Sequence, residues 1–230
     1  MSKQYISASK VAQFLYCPFT FELAAAGYEP KEPYVPVVAS GTAFHAAFNY
    51  MWMGLPAEEA AEAAIAATEI ATGAEMSSEE KLSVINRLRS VPSWLLSAKD
   101  VEVKIEVDID DVVIVGFLDA ITEDRVVELK AVSRQKNELP PTYMIQAQIY
   151  MYATKLDQTT FVMIDPKGNL KTFDVYALKR QTVEEMIKYF AMSMQQQYKP
   201  PSGLTNFACN KCSFAYVCPF VQTLKQTKHA

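Results

Sequence analysis

The chain has 230 residues, half of them hydrophobic, and a formal net charge of −4 at neutral pH. This length and apolar content can bury a sizeable core, as one large domain or one and a half. The sequence contains no apolar run of about 18 residues, and residues 1–10 lack the apolar segment of a signal peptide, so we expect an intracellular, cytoplasmic protein without a membrane span. In that compartment the four cysteines are expected to be reduced thiols or metal ligands rather than disulfides.

The charge is unevenly distributed along the chain. Residues 1–124 contain eight basic and 19 acidic residues, a balance of −11, whereas residues 125–230 contain 14 basic and seven acidic residues, a balance of +7. The basic half could face a polyanion, or the two halves could form unrelated solvated surfaces. The charge alone favours neither interpretation.

Helices are predicted over most of the first 90 residues. Residues 7–27 predict a helix that begins at Ser7 or Ser9 and that Pro18 kinks or divides. Three prolines in residues 29–38 predict an extended connector, after which residues 42–53 predict a second helix, stopped by Gly54.

Two further helices complete this region. Residues 57–72 predict a helix ended by Gly73. The spacing of Ser77 and Glu80 predicts a capping box that opens another helix, through about Arg89.

The centre of the chain predicts β-structure. Apolar and charged side chains alternate over residues 101–107, which predicts a strand with one solvent-exposed face. On that face Glu102 is either an exposed carboxylate or a further acid near a metal site. Residues 112–118 and 126–129 predict a hairpin around the polar break at 122–124. Asp119 ends the first run, and Glu128 and Lys130 share one face of the second. Two carboxylates and an ammonium on one hairpin face are costly to bury unless they are paired or bound to a cation.

The remaining chain predicts a helix at 139–154, strands at 159–164 and 169–176, and a long helix at 182–198. Gln146 and Tyr150 are four residues apart and therefore lie on one helical face. By themselves they fit an ordinary helix surface as well as a substrate contact.

The cysteines suggest a metal centre. Cys209, Cys212 and Cys218 follow the spacing C-x2-C-x5-C, and Cys17 lies near the other end of the chain. Together they could supply four ligands and join the two ends, either to zinc or to an iron–sulfur cluster. The presence of only one C-x2-C pair favours the cluster.

Four short motifs carry a family resemblance. His45 by itself fits either a half-buried histidine or a metal ligand. It ends the segment GTAFH at 41–45, which is followed by GFLDA at 116–120, ELK at 128–130 and Q-x3-Y at 146–150. In this order, and with the four cysteines, the motifs resemble the PD-(D/E)xK nuclease superfamily, in particular the RecB-like branch with an iron–sulfur cluster, which includes CRISPR-associated and phage-borne exonucleases. The resemblance runs from Ser7 to Phe220. The sequence departs from the motif that names the superfamily at Phe117-Leu118, since that motif has a proline next to the aspartate.

The resemblance implies an α/β fold with a restriction-endonuclease-like central mixed β-sheet flanked by helices. A single nuclease domain would span residues 1–230. It would comprise a mainly helical part at 1–98 with Cys17 and His45, the core sheet at 99–180, and a long helix with a cysteine-rich metal-cluster tail at 181–230.

The resemblance also implies site residues. His45, Asp119, Glu128 and the backbone carbonyl of Leu129 would bind Mg²⁺ or Mn²⁺. Lys130 would act beside the attacking water, with Asp119 and Glu128 as the other catalytic residues. Gln146, Tyr150 and Arg134 would contact DNA. A basic strip is expected to contact DNA; its candidate residues are Lys130, Arg134, Lys136, Lys179 and Arg180. The expected ligands of a 4Fe-4S cluster, or alternatively of Zn²⁺, are Cys17, Cys209, Cys212 and Cys218.

The implied function is that of a metal-dependent DNA exonuclease acting on single-stranded DNA or DNA ends, in recombination, repair or phage DNA metabolism. The alternative is an accessory nuclease or DNA-binding module in CRISPR spacer acquisition. A homo-oligomer or a recombination or CRISPR protein partner would be compatible with either role, and a phage-encoded protein would act in the host cytoplasm.

Overall fold

The structure is a computed structural model that describes residues 3–31, 35–195, 209, 212–219 and 221. Its helices and strands, in chain order, are β1 (Gln4–Ser7), α1 (Ala8–Tyr16), α2 (Phe19–Ala25), α3 (Val35–Trp52), α4 (Ala57–Thr72), α5 (Ser78–Arg89), β2 (Asp100–Ile109), β3 (Val112–Ile121), β4 (Val126–Ala131), α6 (Pro141–Thr154), β5 (Gln158–Ile164), β6 (Leu170–Tyr176) and α7 (Arg180–Gln195). A short 3-10 helix spans Ser93–Ser97. In the part of the chain that the structure describes, every helix is too short or too polar to cross a membrane.

Several helix boundaries follow directly from local sequence. The Ser7 side chain accepts a hydrogen bond from the backbone N–H of Lys10 and caps α1. Pro18 divides α1 from α2, as predicted. The capping box of Ser77 and Glu80 is present in both directions at the start of α5.

One prediction of local structure is wrong, and one strand was missed. Helix α3 begins at Val35 rather than at Thr42, so the connector is not extended over residues 35–38. Pro36 is compatible with this because a helix tolerates proline in its first turn. Strand β1 was not predicted. The remaining connector residues 32–34 and the predicted helix end at 196–198 lie outside the described residues.

Strand β3 is the centre of a six-stranded sheet. One of its edges pairs antiparallel with β2 from Val112 to Ile121. The other edge is shared, because β1 pairs in parallel with residues 112–115 and β4 pairs antiparallel with residues 120–121. Between these two partners, residues 116–119 of β3 have no partner strand on that edge among the described strands. The predicted hairpin is therefore confirmed only next to its turn, and we call the unpaired interval the sheet opening.

The sheet is mixed and is flanked by helices on both faces, as predicted. Strand β4 continues in parallel with β5, which pairs antiparallel with β6. Helices α3, α4 and α5 enclose a first core that includes Val127 and Leu129. Helices α1, α6 and α7 enclose a second core that includes Val126.

An aromatic side chain from α6 packs against the sheet opening. A Cβ atom at Gly116 would lie 2.6 Å from Cε1 of Tyr150 and 3.2 Å from Cγ1 of Ile105, so only glycine permits this approach. The Tyr150 hydroxyl donates a hydrogen bond to the backbone carbonyl of Phe117 at 3.4 Å. Tyr150 thus satisfies a backbone group that a neighbouring strand would otherwise pair.

Gly116→Ala is expected to destabilise the fold by roughly 1–3 kcal/mol, because the added methyl group forces apart a packed core. Urea denaturation would measure this. Gly41→Ala is the matched control: outside its own helix backbone, a Cβ at this α3 position meets no atom of the described residues within 4 Å, and alanine in a helix is favoured over glycine by roughly 0.5–1 kcal/mol. Equal effects of the two substitutions would contradict the packing role of Gly116.

Candidate active site

His45 on α3 and Asp119 on β3 form a direct pair at the sheet opening. Their Nδ1 and Oδ1 atoms are 2.9 Å apart. The other Asp119 oxygen accepts the backbone N–H of Leu129 at 2.7 Å. The carboxylate therefore bridges β3 and β4 where their backbones have separated. Because the N–H and C=O of one strand residue point to the same edge, the Leu129 carbonyl also faces this opening.

Glu128 and Lys130, whose two-residue spacing predicts that they share one face of β4, form the second pair. Lys130 Nζ is 2.6 Å from Glu128 Oε2. The Glu128 side chain is only 2% exposed, and that of Lys130 is 19% exposed. Within the described part of the chain, Glu128 Oε1 is buried and has no hydrogen-bond partner. A buried carboxylate with one unsatisfied oxygen is energetically costly and leaves a donor atom available for a cation.

The two pairs perturb each other's ionisation. Burial acts to lower the pKa of His45, but the charge and hydrogen bond of Asp119 outweigh burial and raise it. Burial acts to raise the pKa of Asp119, but His45 and Lys130 hold it below its usual value. Burial also acts against the charge of Lys130, yet Glu128 and Asp119 raise the Lys130 pKa. For Glu128, burial dominates and raises the pKa to about 7.

These side chains do not form a completed ligand shell. Among the residues that the structure describes, no three His, Cys, Asp or Glu side chains are gathered as a metal-binding group. Three of the carboxylate oxygens and His45 Nδ1 are instead engaged in the two internal pairs and in the bond from the Leu129 N–H, and Glu128 Oε1 is the carboxylate oxygen that lacks a partner among the described residues. A cation would have to replace these pairs, and the chemistry fits Mg²⁺ or Mn²⁺, since the available donors are carboxylate oxygens, a carbonyl and an imidazole.

The predicted α6 residues face the site from the second core. Gln146 Nε2 donates to the Tyr150 hydroxyl at 2.8 Å. Tyr150 is only 3% exposed, and burial together with the nearby Glu128 raises its pKa. Gln146 is partly exposed. The predicted contacts of both residues with DNA remain predictions, and the structure also assigns Tyr150 a packing role.

The predicted basic strip is not continuous. Arg134 and Lys136 are exposed in the loop after β4, and Lys171 at the start of β6 donates to the Lys136 carbonyl at 3.0 Å. Arg180, at the start of α7, lies beyond the opposite end of β6, where its guanidinium packs 3.8 Å from the centre of the Tyr152 ring. Arg134 and Lys136, which follow β4, therefore lie on a different part of the surface from Arg180 at the start of α7.

A cavity of about 550 Å³ opens beside the His45–Asp119 pair and is also lined by Asn49 and Glu102. Asn49 Nδ2 donates to Glu102 Oε1 at 3.1 Å. Glu102 has a φ of 52°, which is unusual for a strand residue and strained for a side chain with a Cβ. Sequence reasoning missed Asn49, although its position one helical turn after His45 was an available signal.

The cysteine-rich tail packs near the N-terminal helices. Burial raises the pKa of Cys17, and the neighbouring Cys212 and Cys209 raise it further. The Tyr216 hydroxyl donates to the Glu29 carbonyl at 2.8 Å. None of the four cysteines, all of which the structure describes, forms a disulfide. Cys17 and Glu29 thus lie near the described residues 209–216, while the metal cluster itself remains a prediction.

Comparisons with known proteins agree on the class of fold. The family model of the PD-(D/E)XK nuclease superfamily matches residues 5–219. A search of the curated proteins gives no match. A putative exonuclease from Eubacterium rectale is 11% identical and has a TM-score of 0.53, covering 84% of this chain and 79% of that chain, which supports a shared fold.

Two other solved structures are more distant in superposition. SSO0001 is 21% identical over 91% of this chain and 96% of that chain, with a TM-score of 0.43. An alkaline exonuclease from Laribacter hongkongensis is 13% identical over 62% of this chain and 81% of that chain, with a TM-score of 0.37.

The raised pKa of Glu128 predicts how the metal-free protein responds to pH. Because the pKa is about 7 in the fold against 4.5 for an ordinary glutamate, the Glu128 contribution to stability is fully present below about pH 4.5 and is lost as the pH rises through about 7. Glu128→Gln is therefore expected to stabilise the metal-free protein at about pH 8, by at most about 3 kcal/mol, and by progressively less toward about pH 5.

Urea denaturation in EDTA across this pH range would measure the difference. Glu62→Gln on α4 is the control, because Glu62 is exposed and should leave the pH profile unchanged. A Glu128→Gln profile parallel to that of the unsubstituted protein would contradict the raised pKa.

Proposed function

Because the chain belongs to the PD-(D/E)XK nuclease superfamily, we propose that it is a divalent-metal-dependent deoxyribonuclease with His45, Asp119, Glu128 and Lys130 as its active site. The observation that carries this proposal is the convergence of the four side chains at the sheet opening. His45 and Asp119 are 74 positions apart in the sequence and yet in direct contact. A set of ionisable groups with strongly perturbed pKa values in one place is typical of a catalytic site.

The proposed metal ligands are His45, Asp119, Glu128 and the Leu129 carbonyl. The unpaired Oε1 atom of Glu128 supports this assignment, since a buried oxygen without a hydrogen bond is available to a cation. When bound, Mg²⁺ or Mn²⁺ would lower the pKa of a water molecule and offset charge on the phosphate.

Lys130 is proposed to act on the reacting groups directly. Water adds to the phosphorus, the bond between phosphorus and one bridging oxygen breaks, water loses a proton, and the departing oxygen gains one. The Lys130 ammonium can donate hydrogen bonds to the attacking water or to a phosphate oxygen and stabilise the developing charge. Its raised pKa keeps it protonated for this purpose.

We propose single-stranded DNA or DNA ends as the substrate and exonucleolytic cleavage as the activity. The exposed cations Arg134 and Lys136 follow directly after the strand that bears Lys130, and they could contact phosphates next to the cut. Membership of the RecB-like branch, and a role in recombination, repair or phage DNA metabolism, rest on the motifs in the sequence. A role as an accessory or DNA-binding module in CRISPR spacer acquisition is the alternative.

Asp119→Ala and Lys130→Ala are each expected to abolish Mn²⁺- or Mg²⁺-dependent cleavage of DNA. The first removes a ligand and the second removes the charge beside the water, and such losses typically exceed about 100-fold. The measurement is a time course on single- and double-stranded DNA labelled at the 5′ or the 3′ end, with EDTA as the metal-free arm.

Lys99→Ala is the matched control, because this lysine side chain is 63% exposed and should leave cleavage unchanged. Full activity of either active-site variant would overturn the assignment. Binding of DNA without cleavage by the unsubstituted protein would favour the DNA-binding module.

We further propose that Cys17, Cys209, Cys212 and Cys218 bind a 4Fe-4S cluster. The approach of Cys17 to Cys209 and Cys212 supports a shared site. The protein purified without oxygen is expected to be brown and to contain about four iron atoms per chain. Cys212→Ser should lose the iron and lower the thermal stability, because the cluster would join the two ends of the chain. A colourless protein with stoichiometric zinc would replace the cluster by the zinc alternative.

A further inference from the structure

We propose that Tyr143 is a positioning residue that holds the Lys130 ammonium in the active site through the face of its ring. The proposal rests on the proposed function, because it assigns a role in the same reaction. It adds a residue that none of the recognised sequence motifs contains, in the first turn of α6.

The contact between the two residues is direct. Lys130 Nζ lies over the Tyr143 ring, 5.4 Å from its centre. An ammonium at this distance from an aromatic face is attracted by the electron density of the ring. The Lys130 ammonium is thus held between the Glu128 carboxylate at 2.6 Å and the Tyr143 ring.

The ring is itself fixed by the sheet. Tyr143 stacks on Phe161 of β5 with 5.7 Å between ring centres and an angle of 8° between the ring planes. Phe161 is fully buried and is the register partner of Glu128 in the β4–β5 pair. The strand that neighbours β4 therefore positions the ring that contacts Lys130.

The sequence of α6 explains why Tyr143 reaches the site. Tyr143, Gln146 and Tyr150 are three and then four positions apart, so they lie along one helical face. The recognised Q-x3-Y pair occupies the second and third positions of this face, and Tyr143 extends it by one turn toward the start of the helix.

The Tyr143 ring is expected to contribute most to holding Lys130 when Glu128 binds a cation instead of the Lys130 ammonium. Lysine has a long, flexible side chain whose ammonium is strongly hydrated. If a divalent cation recruits the Glu128 carboxylate, Lys130 loses its hydrogen bond to Oε2, and the uncharged ring remains to hold the ammonium. Tyr143 would therefore keep Lys130 in place without competing for the metal.

Replacement of the ring tests this role in the DNA cleavage assay. Tyr143→Leu is expected to lower kcat by roughly 2- to 30-fold, the range equivalent to one cation–π interaction, with KM unchanged. Tyr143→Phe keeps the ring face and should retain activity to within about two-fold.

Tyr152→Leu is the matched control. It removes another tyrosine from the same helix, also packed against a cation, Arg180, but away from Lys130, and should leave kcat unchanged. Equal losses in Tyr143→Leu and Tyr143→Phe would indicate that the hydroxyl acts and would overturn the proposal, as would undiminished kcat in Tyr143→Leu.

A second readout does not depend on activity. Protons beside an aromatic face are shifted upfield, so the Lys130 Cε protons should be shifted upfield in NMR spectra of the unsubstituted protein. This shift should persist in Tyr143→Phe and disappear in Tyr143→Leu, while the thermal midpoints show that both variants are folded. An unshifted Lys130 signal in the unsubstituted protein would overturn the proposal.

If the protein fails to cleave DNA yet shows the expected shifts, the nuclease assignment fails and the Tyr143–Lys130 contact stands.

Discussion

The interrupted pairing along one edge of β3 is the constraint on which the rest of the site depends. A continuous β3–β4 ladder would use the Leu129 N–H for a backbone hydrogen bond and would bury its carbonyl. Instead, the Asp119 carboxylate accepts that N–H at 2.7 Å, and Tyr150 satisfies the Phe117 carbonyl. The sheet therefore opens without leaving these two backbone groups unpaired, and the opening brings the His45–Asp119 pair next to β4, which bears Glu128 and Lys130.

The opening also connects the two helical layers. His45 reaches Asp119 from α3, on the side of the first core, whereas Tyr143 reaches Lys130 from α6, on the side of the second. Regular alternation would place Leu118 and Ala120 on one face of β3. Leu118 nevertheless packs in the second core and Ala120 in the first. The distortion of the β2–β3 pair at Asp119 and at Glu102, with its φ of 52°, accounts for this change.

The sequence predicted those features that depend on neighbouring residues. The cap at Ser7, the break at Pro18, the capping box of Ser77 and the shared strand face of Glu128 and Lys130 each involve groups within a few positions. Strand β1 could not be predicted in this way, because its four residues become a strand only through parallel pairing with β3. The sheet opening was equally inaccessible, since the apolar pattern of a hairpin does not reveal where its strands separate.

Resemblance to a family brought together His45, Asp119, Glu128 and Lys130, but it did not indicate how they are held. Gly116 is required by the ring of Tyr150 on α6, which lies 34 positions later in the chain, and no local pattern contains that contact. Tyr143 is a similar case. Its spacing to Gln146 and Tyr150 was visible in the sequence, but aromatic residues at helical spacing usually pack in a core. Only the position of the Lys130 ammonium over its ring distinguishes it.

The buried charges at the site lower the stability of the fold, and the same charges are the groups proposed to act in catalysis. Glu128 is buried beside a second carboxylate, and its pKa of about 7 records the cost of keeping it ionised in the metal-free protein. Lys130 offsets part of this cost by hydrogen bonding to one Glu128 oxygen, and the other oxygen has no partner among the residues that the structure describes. A purely structural ion pair would gain from satisfying both oxygens. The unsatisfied oxygen therefore supports the proposal that Glu128 is a metal ligand, because a divalent cation would offset the cost of its buried negative charge.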